Sequence, residues 1–333
     1  MKIQAIENNE FNIQMTLLNK CNYSCRYCPP KLNSGSTPLI STETYLRFFK
    51  NLLIDNPEIM QYEKRFAGFT GGEPSLHPGV EAMIDFFRDN DFNISFDTNG
   101  SAKMDFWERN LSKINMTNLS VHLRYANFKH LLNIVKLGVE KQAVVKVAIL
   151  MDPEYWDRTH EAIAFFKENN VPIMEFKTLI FRNDDVSARG GDIVLGQIPG
   201  NFLASYTDKQ REWMKNNPPY YNNTALTKVN PNYQTRNAYI VYEDGTREKF
   251  LGQHVQSQEL NKFSGFKCLA GRDCISIRWD GSVRGAHCGI KGIGFGSLVL
   301  NPDLRIKLAQ KPVTCTLAKC SCISDMRIRK WKE

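Results

Sequence analysis

Three cysteines near one end of the chain, Cys21, Cys25 and Cys28, follow a Cys-x3-Cys-x2-Cys spacing. Three thiolates on one tight loop suit three irons of a 4Fe–4S cube and leave the fourth iron without a ligand from that loop. A zinc ion would need a fourth ligand close by. The nearest candidate, His77, falls on a different loop. The other six cysteines come after a gap of 239 residues, as Cys268, Cys274 and Cys288, then Cys315, Cys320 and Cys322. Buried inert cysteines would scatter through the middle of the chain, and none does. Nine is also an odd number for a disulfide framework, so metal ligation or catalysis is the better reading.

The rest of the composition limits what surrounds this chemistry. The chain has 333 residues, 42% hydrophobic and 23% charged, an ordinary globular balance that excludes disorder and fibrous structure for most of its length. That length allows two domains, or one large α/β barrel with an appendage. No apolar run approaches the ~18 residues that would span a bilayer. The opening MKIQAIENNEF has no apolar signal stretch. A cytoplasmic protein without a membrane partner is expected.

The elements that must position the cysteines alternate. Strands are expected at 11–18, 65–70, 92–97, 117–123, 143–151 and 172–180. Helices are expected at 42–54, 79–89, 103–112, 126–138 and 154–169, the first after a Ser/Thr cap. Such alternation predicts βαβ units, a parallel sheet and right-handed crossovers that curl it into a full or partial barrel. The suspicious loops then fall at the C-terminal ends of strands, where barrel enzymes keep their chemistry. Residues 181–265 differ, being rich in Asn, Gly, Pro and Tyr, with one helix at 206–215 and one hairpin turning at Asp244-Gly245.

Cys21-x3-Cys25-Arg26-Tyr27-Cys28 in the first βα loop, followed by Gly71-Gly72-Glu73-Pro74 at the end of the second strand, resembles the radical S-adenosylmethionine (SAM) superfamily. The resemblance implies an α/β fold, a partial (β/α)6 TIM-type barrel, with a 4Fe–4S cluster on Cys21, Cys25 and Cys28. It implies that SAM chelates the open iron and that Gly71, Gly72, Glu73 and Pro74 form the SAM amino-group site. Glycines admit close backbone approach and a carboxylate matches an ammonium. Tyr27 would lie near the adenine. Further SAM contacts are expected from Asn99, from Ser120 and His122 on one strand face, and from Arg124 just past that strand. An external flavodoxin- or ferredoxin-type protein would supply the electron.

Residues 268–288 open Cys-x-x-Gly, run through ISIRW, turn at Asp280-Gly281 and return to Cys288. This resembles the auxiliary-cluster domain of many radical SAM enzymes, called SPASM, or its shorter form, twitch. The resemblance implies three segments: the SAM barrel at 1–200, a connector at 201–265 and a small cysteine-rich auxiliary Fe–S domain at 266–333. The usual downstream Cys-x2-Cys-x5-Cys-x3-Cys run is absent. One auxiliary 4Fe–4S cluster is therefore expected, on Cys268, Cys288 and two of Cys274, Cys315, Cys320 and Cys322. A spare thiol, Cys274 or Cys315, is a candidate hydrogen-atom donor. With both clusters bound, the formal net charge falls from +8 to about +5.

The expected substrate is a ribosomally made peptide, which the enzyme would crosslink, epimerise or oxidise. The alternative is a small metabolite such as a sugar or nucleoside. Nucleic acid is disfavoured, although residues 303–333 carry eight Lys/Arg against three Asp/Glu.

Overall fold

The computed structural model describes residues 2–28, 30–179, 206–217, 226, 228–230, 236, 238–250, 252, 255, 260–290, 292–320 and 322–333. The expected boundary at residue 200 lies outside these residues.

The chain opens with β1 (Ile3–Glu7) and β2 (Glu10–Thr16). A short helix α1 (Pro30–Asn33) follows the cysteine loop. Strands β3 (Lys64–Thr70), β4 (Asn93–Thr98), β5 (Met116–Val121), β6 (Val144–Met151) and β7 (Met174–Thr178) then alternate with helices. These helices are α2 (Thr42–Asp55), α3 (Val80–Asp89), α4 (Met104–Asn110), α5 (Phe128–Glu140) and α6 (Trp156–Glu168). Strands β2 to β7 are parallel neighbours in chain order, as the alternation predicts.

Each helix stays in place for a local reason. Ser41 caps α2 by accepting the backbone N–H of Thr44 at 3.1 Å. Its buried face, Tyr45, Phe48, Phe49 and Leu52, then packs on the sheet. Phe49 meets Phe87 of α3 at 4.8 Å between ring centroids, and Phe69 of β3 meets Phe96 of β4 at 5.9 Å. Each such buried side chain contributes about 1.5–3 kcal/mol. Strand alternation sends Ile13, Met15, Phe69, Phe96, Leu119 and Val147 into this helical layer. It turns Gln14, Asn118, Ser120, Lys146, Glu175 and Lys177 to the opposite, inner face.

After α7 (Asp208–Asn216), the hairpin β8 (Tyr239–Tyr242) and β9 (Arg247–Lys249) turns through Asp244-Gly245 as expected. Then come β10 (Lys267–Cys268), β11 (Cys274–Ile277), β12 (Ser282–Arg284), β13 (Gly294–Ser297), β14 (Val313–Thr314), α8 (Ile323–Met326) and β15 (Lys330–Trp331). The expected hairpin turning at Asp280-Gly281 is present as β11–β12, but its return strand ends at Arg284 and Cys288 lies beyond it.

Two joins were not foreseen. Strand β11 pairs parallel to β2, with Cys274 opposite Asn12 and Ile277 opposite Met15. The barrel sheet thus continues through β11, β12 and β13, nine strands among the described residues. Strand β1 pairs with β8 and β15, so the N-terminal strand belongs to a second sheet, ordered β14-β10-β15-β1-β8-β9. Among the described residues no helix is long and apolar enough to cross a membrane.

Candidate functional site

The loop Cys21–Cys28 leaves the C-terminal end of β2 and is fastened on three sides. Toward β4, Asn99 Nδ2 donates to Asn22 Oδ1 at 2.9 Å and to Cys21 Sγ at 3.7 Å, and Asn22 donates to Ser101 Oγ at 2.9 Å. Toward β5, the Tyr27 hydroxyl meets His122 Nδ1 at 2.8 Å, with the two rings nearly parallel. Cys25 Sγ lies 3.2 Å from the same nitrogen. Tyr23 stacks on Tyr125 at 4.8 Å, and the Tyr125 hydroxyl donates to Ser24 O at 3.0 Å. Toward the end of β6, Arg26 donates to Asp152 and to Glu154, each at 2.6 Å.

These contacts set the electrostatics. Burial, with Lys177 nearby, pushes the His122 imidazole down to about 4, so the ring is neutral at pH 7. The neutral ring carries one hydrogen, and both the Tyr27 hydroxyl and the Cys25 thiol meet it at Nδ1. Burial pushes the Cys25 thiol up to about 11 and the Cys28 thiol up to about 12. Thiols this reluctant to ionise alone become ligands only when a metal supplies the compensating charge. Three of them on one loop, with N–H donors from Tyr23 and Asn99 aimed at Cys21 Sγ, fit an iron–sulfur cluster.

The Gly71-Gly72-Glu73 turn packs directly under this loop. Gly72 N–H donates to Leu18 O and Glu73 N–H to Lys20 O, both at 2.9 Å. A Cβ on Gly72 would stand 2.0 Å from Lys20 O, and one on Gly71 would stand 2.7 Å from Leu18 O, at a φ of +142°. The two glycines are thus what lets the strand end touch the cysteine loop. Glu73 is fully buried. Its Oε1 accepts from Ser75 N, Ser75 Oγ and Thr98 Oγ1, and its Oε2 accepts from Asn99 N at 2.7 Å. Pro74 starts the short 3-10 turn that follows, also buried.

The structure gathers Tyr27, Asn99 and His122 around the cysteines. Ser120 shares the inner face of β5 one step deeper than His122. Arg124 is exposed and lines a small cleft with Cys25, Tyr27, Tyr125, Asp152 and Tyr155. His77 is no ligand, since its Nε2 faces Ile40 O and its Nδ1 accepts Gly79 N–H. Sequence reasoning missed Arg26, Asn22 and Asp152. Asp152, directly after the apolar strand AVVKVAILM, had a signal: a polar residue at the C-terminal end of a barrel strand.

Five of the six later cysteines border two apolar clusters. Cys268, Cys274, Cys288 and Cys315 border one apolar cluster with Ile290 and Ile328, and Cys315 and Cys320 border a second. Strand β10 brings Cys268 beside Val313 and Lys330. The buried Asp325 carboxylate accepts His287 N–H at 3.1 Å and Cys288 N–H at 2.6 Å. Burial raises the Cys288 thiol to about 12 and the Cys274 and Cys320 thiols well above the ordinary range. Cys274 also takes a contact from Gln14 Nε2 of β2 at 3.8 Å. Among the described residues no three His, Cys, Asp or Glu side chains converge on a single metal ion.

A parallel α/β sheet with a three-cysteine loop at the C-terminal end of β2 defines the class as a barrel-type α/β enzyme with a candidate metal-cluster loop. The family model of the Radical SAM superfamily matches residues 15–185, just over half of the sequence, and the chain belongs to that superfamily. One curated relative, an S-adenosylmethionine-dependent nucleotide dehydratase of Selenomonas ruminantium, is 29% identical over 94 residues. That stretch covers 28% of this chain and 31% of the dehydratase. Among solved structures, native anSMEcpe with bound AdoMet and a peptide is similar at a TM-score of 0.51 and 15% identity, covering 89% of this chain and 79% of that one. Native anSMEcpe with bound AdoMet alone gives a TM-score of 0.50 at 16% identity, with the same coverage. At these identities the likeness is one of fold.

Proposed function

We propose that the protein cleaves SAM reductively and removes a hydrogen atom from a peptide substrate. The observation that carries the SAM chemistry is the packing of Gly71-Gly72-Glu73 against the loop that bears Cys21, Cys25 and Cys28. In this reading those three thiolates hold the cluster. When bound, the cluster supplies the electron that splits SAM into methionine and a 5′-deoxyadenosyl radical.

The chain's own residues do the positioning. Gly71 and Gly72 present backbone at the mouth for the SAM amino group. The Glu73 carboxylate, already accepting four donors, holds the ends of β3 and β4 in register beneath it. His122, neutral, fixes Tyr27 through Nδ1. Asn99, Ser120 and Arg124 complete the SAM contacts. Tyr23, Tyr125 and Tyr155 ring the mouth and keep water from the reacting atoms. The segments 1–200, 201–265 and 266–333 then act as barrel, connector and auxiliary region. The auxiliary 4Fe–4S cluster would use Cys268, Cys288 and Cys315, with Cys320 or Cys322 as fourth ligand, and leave Cys274 facing Gln14 as the spare thiol.

A peptide substrate is supported by the likeness in fold to anSMEcpe, whose structure holds a peptide beside AdoMet. A nucleotide substrate is the second reading, supported by the 94-residue stretch similar to a nucleotide dehydratase. Deuterated peptide and deuterated nucleotide pools, incubated separately with reduced protein and SAM, separate the two. Deuterium in 5′-deoxyadenosine from the peptide pool is expected. Deuterium from the nucleotide pool alone would replace the first reading with the second.

A further inference from the structure

Within the barrel, β6 and β7 place two lysines and a glutamate on the inner face. Lys146 Nζ pairs with Glu175 Oε2 at 2.8 Å, and Glu175 is almost completely buried. Lys177 reaches the same carboxylate oxygen only at 3.9 Å. Among the described residues its ammonium, with three N–H donors, makes no hydrogen bond. The side chain is 20% exposed, so it borders open space.

Its depth is fixed by register. Val121 aligns with Ile149 and Leu150 aligns with Lys177, so His122, Leu150 and Lys177 form one layer of the barrel. His122 in that layer touches Tyr27 and Cys25. The charges facing Lys177 come from three strands: Asp97 of β4, Lys146 of β6 and Glu175 of β7. Asp97 is exposed and bonded to Asn118 at 2.5 Å. Glu175 is the buried carboxylate here, and it is held closely by Lys146.

A cationic group at a barrel's inner surface whose nearest carboxylate stands at 3.9 Å and is already paired with another lysine carries a desolvation cost that an anion would relieve. We propose that Lys177 is a recognition residue for an oxyanion of the substrate, a phosphate or a carboxylate, held one barrel layer deep beside the cysteine loop. The proposal deepens the hydrogen-abstraction reading and rests on it. It adds that the substrate enters with an anionic group pointing toward β7. A phosphate would come from a nucleotide and a carboxylate from an acidic side chain of a peptide.

The test needs no reductant, so it stands apart from SAM cleavage. Cluster-reconstituted protein with saturating SAM is titrated calorimetrically with inorganic pyrophosphate and, separately, with N-acetylglutamate amide. Wild-type protein should bind one of these probes. Lys177→Met should weaken that binding about tenfold or more through loss of a charge-assisted contact, while Lys177→Arg stays within about threefold. The Lys146–Glu175 pair survives both changes, which keeps the inner face folded. Preference for pyrophosphate assigns a phosphorylated substrate, and preference for the glutamate probe assigns an acidic peptide. Binding of neither probe, equal binding by Lys177→Met, or binding seen only without SAM would overturn the proposal. The last result would make Lys177 a partner of the SAM carboxylate instead.

Discussion

The Glu73 carboxylate accepts the backbone N–H of Asn99 at 2.7 Å, while the side-chain amide of Asn99 reaches Asn22 and Cys21. The end of β3 is thereby coupled through β4 to the cysteine loop. A glutamate that looks from the sequence like a partner for SAM alone is also a structural tie. Burial raises its pKa, opposed by hydrogen bonds from Ser75, Asn99 and Thr98 that favour the charged form.

Glu73→Gln therefore replaces an acceptor by an –NH2 that faces existing donors. We expect a loss of about 1–3 kcal/mol in urea unfolding, because at least one buried donor is left unpaired. Thr98→Val, which removes one of the donors, should cost less. An unchanged unfolding midpoint for Glu73→Gln would show that the tie does not matter.

Gly72→Ala tests the contact between strand end and loop. The added methyl meets backbone, Lys20 O at 2.0 Å, and backbone has little freedom to move aside. We expect about 2–4 kcal/mol of destabilisation. Iron bound after reconstitution should also fall sharply. Iron retention at the wild-type level would contradict the packing described.

Arg26 lies between two of the expected ligands and bridges Asp152 and Glu154. Arg26→Met leaves the buried Asp152 without its cation, at an expected cost of about 1–3 kcal/mol. In the double variant Arg26→Met, Asp152→Asn, the losses should be clearly less than additive, because the two residues form one interaction. Additive losses, measured by denaturant unfolding, would mean that the pair is not coupled.

The six C-terminal cysteines make a stoichiometric prediction. Reconstituted protein should hold about eight irons per chain, and Cys268→Ala or Cys288→Ala about four. Wild-type protein with about four irons would remove the auxiliary cluster from the account.

Much of the barrel was legible because its signals are local. The strand at 144–151 is an apolar run broken only by Lys146, and α2 announces itself with Ser41 and a buried face at helical spacing. The cysteine loop and the Gly71–Glu73 turn were legible because few residue types suit a thiolate cluster or so close a backbone approach. What was missed is non-local. In β1 an irregular register between Ile3 and Ala5 breaks the two-residue period that marks a strand. The pairing of β11 with β2 joins residues about 260 positions apart, which alternation cannot specify. Lys177 falls within the strand expected at 172–180, but the charges around it come from β4, β6 and β7, which no local pattern brings together.

The central claim is that Cys21, Cys25 and Cys28 hold a cluster that cleaves SAM. Its most direct measurement is 5′-deoxyadenosine formed by anaerobically reconstituted, dithionite-reduced protein given SAM. Wild-type protein should form it together with methionine. Cys28→Ala should form none, and Cys288→Ala should still form it. Wild-type protein that yields no 5′-deoxyadenosine, or a Cys28→Ala variant that yields as much as wild type, would contradict the account.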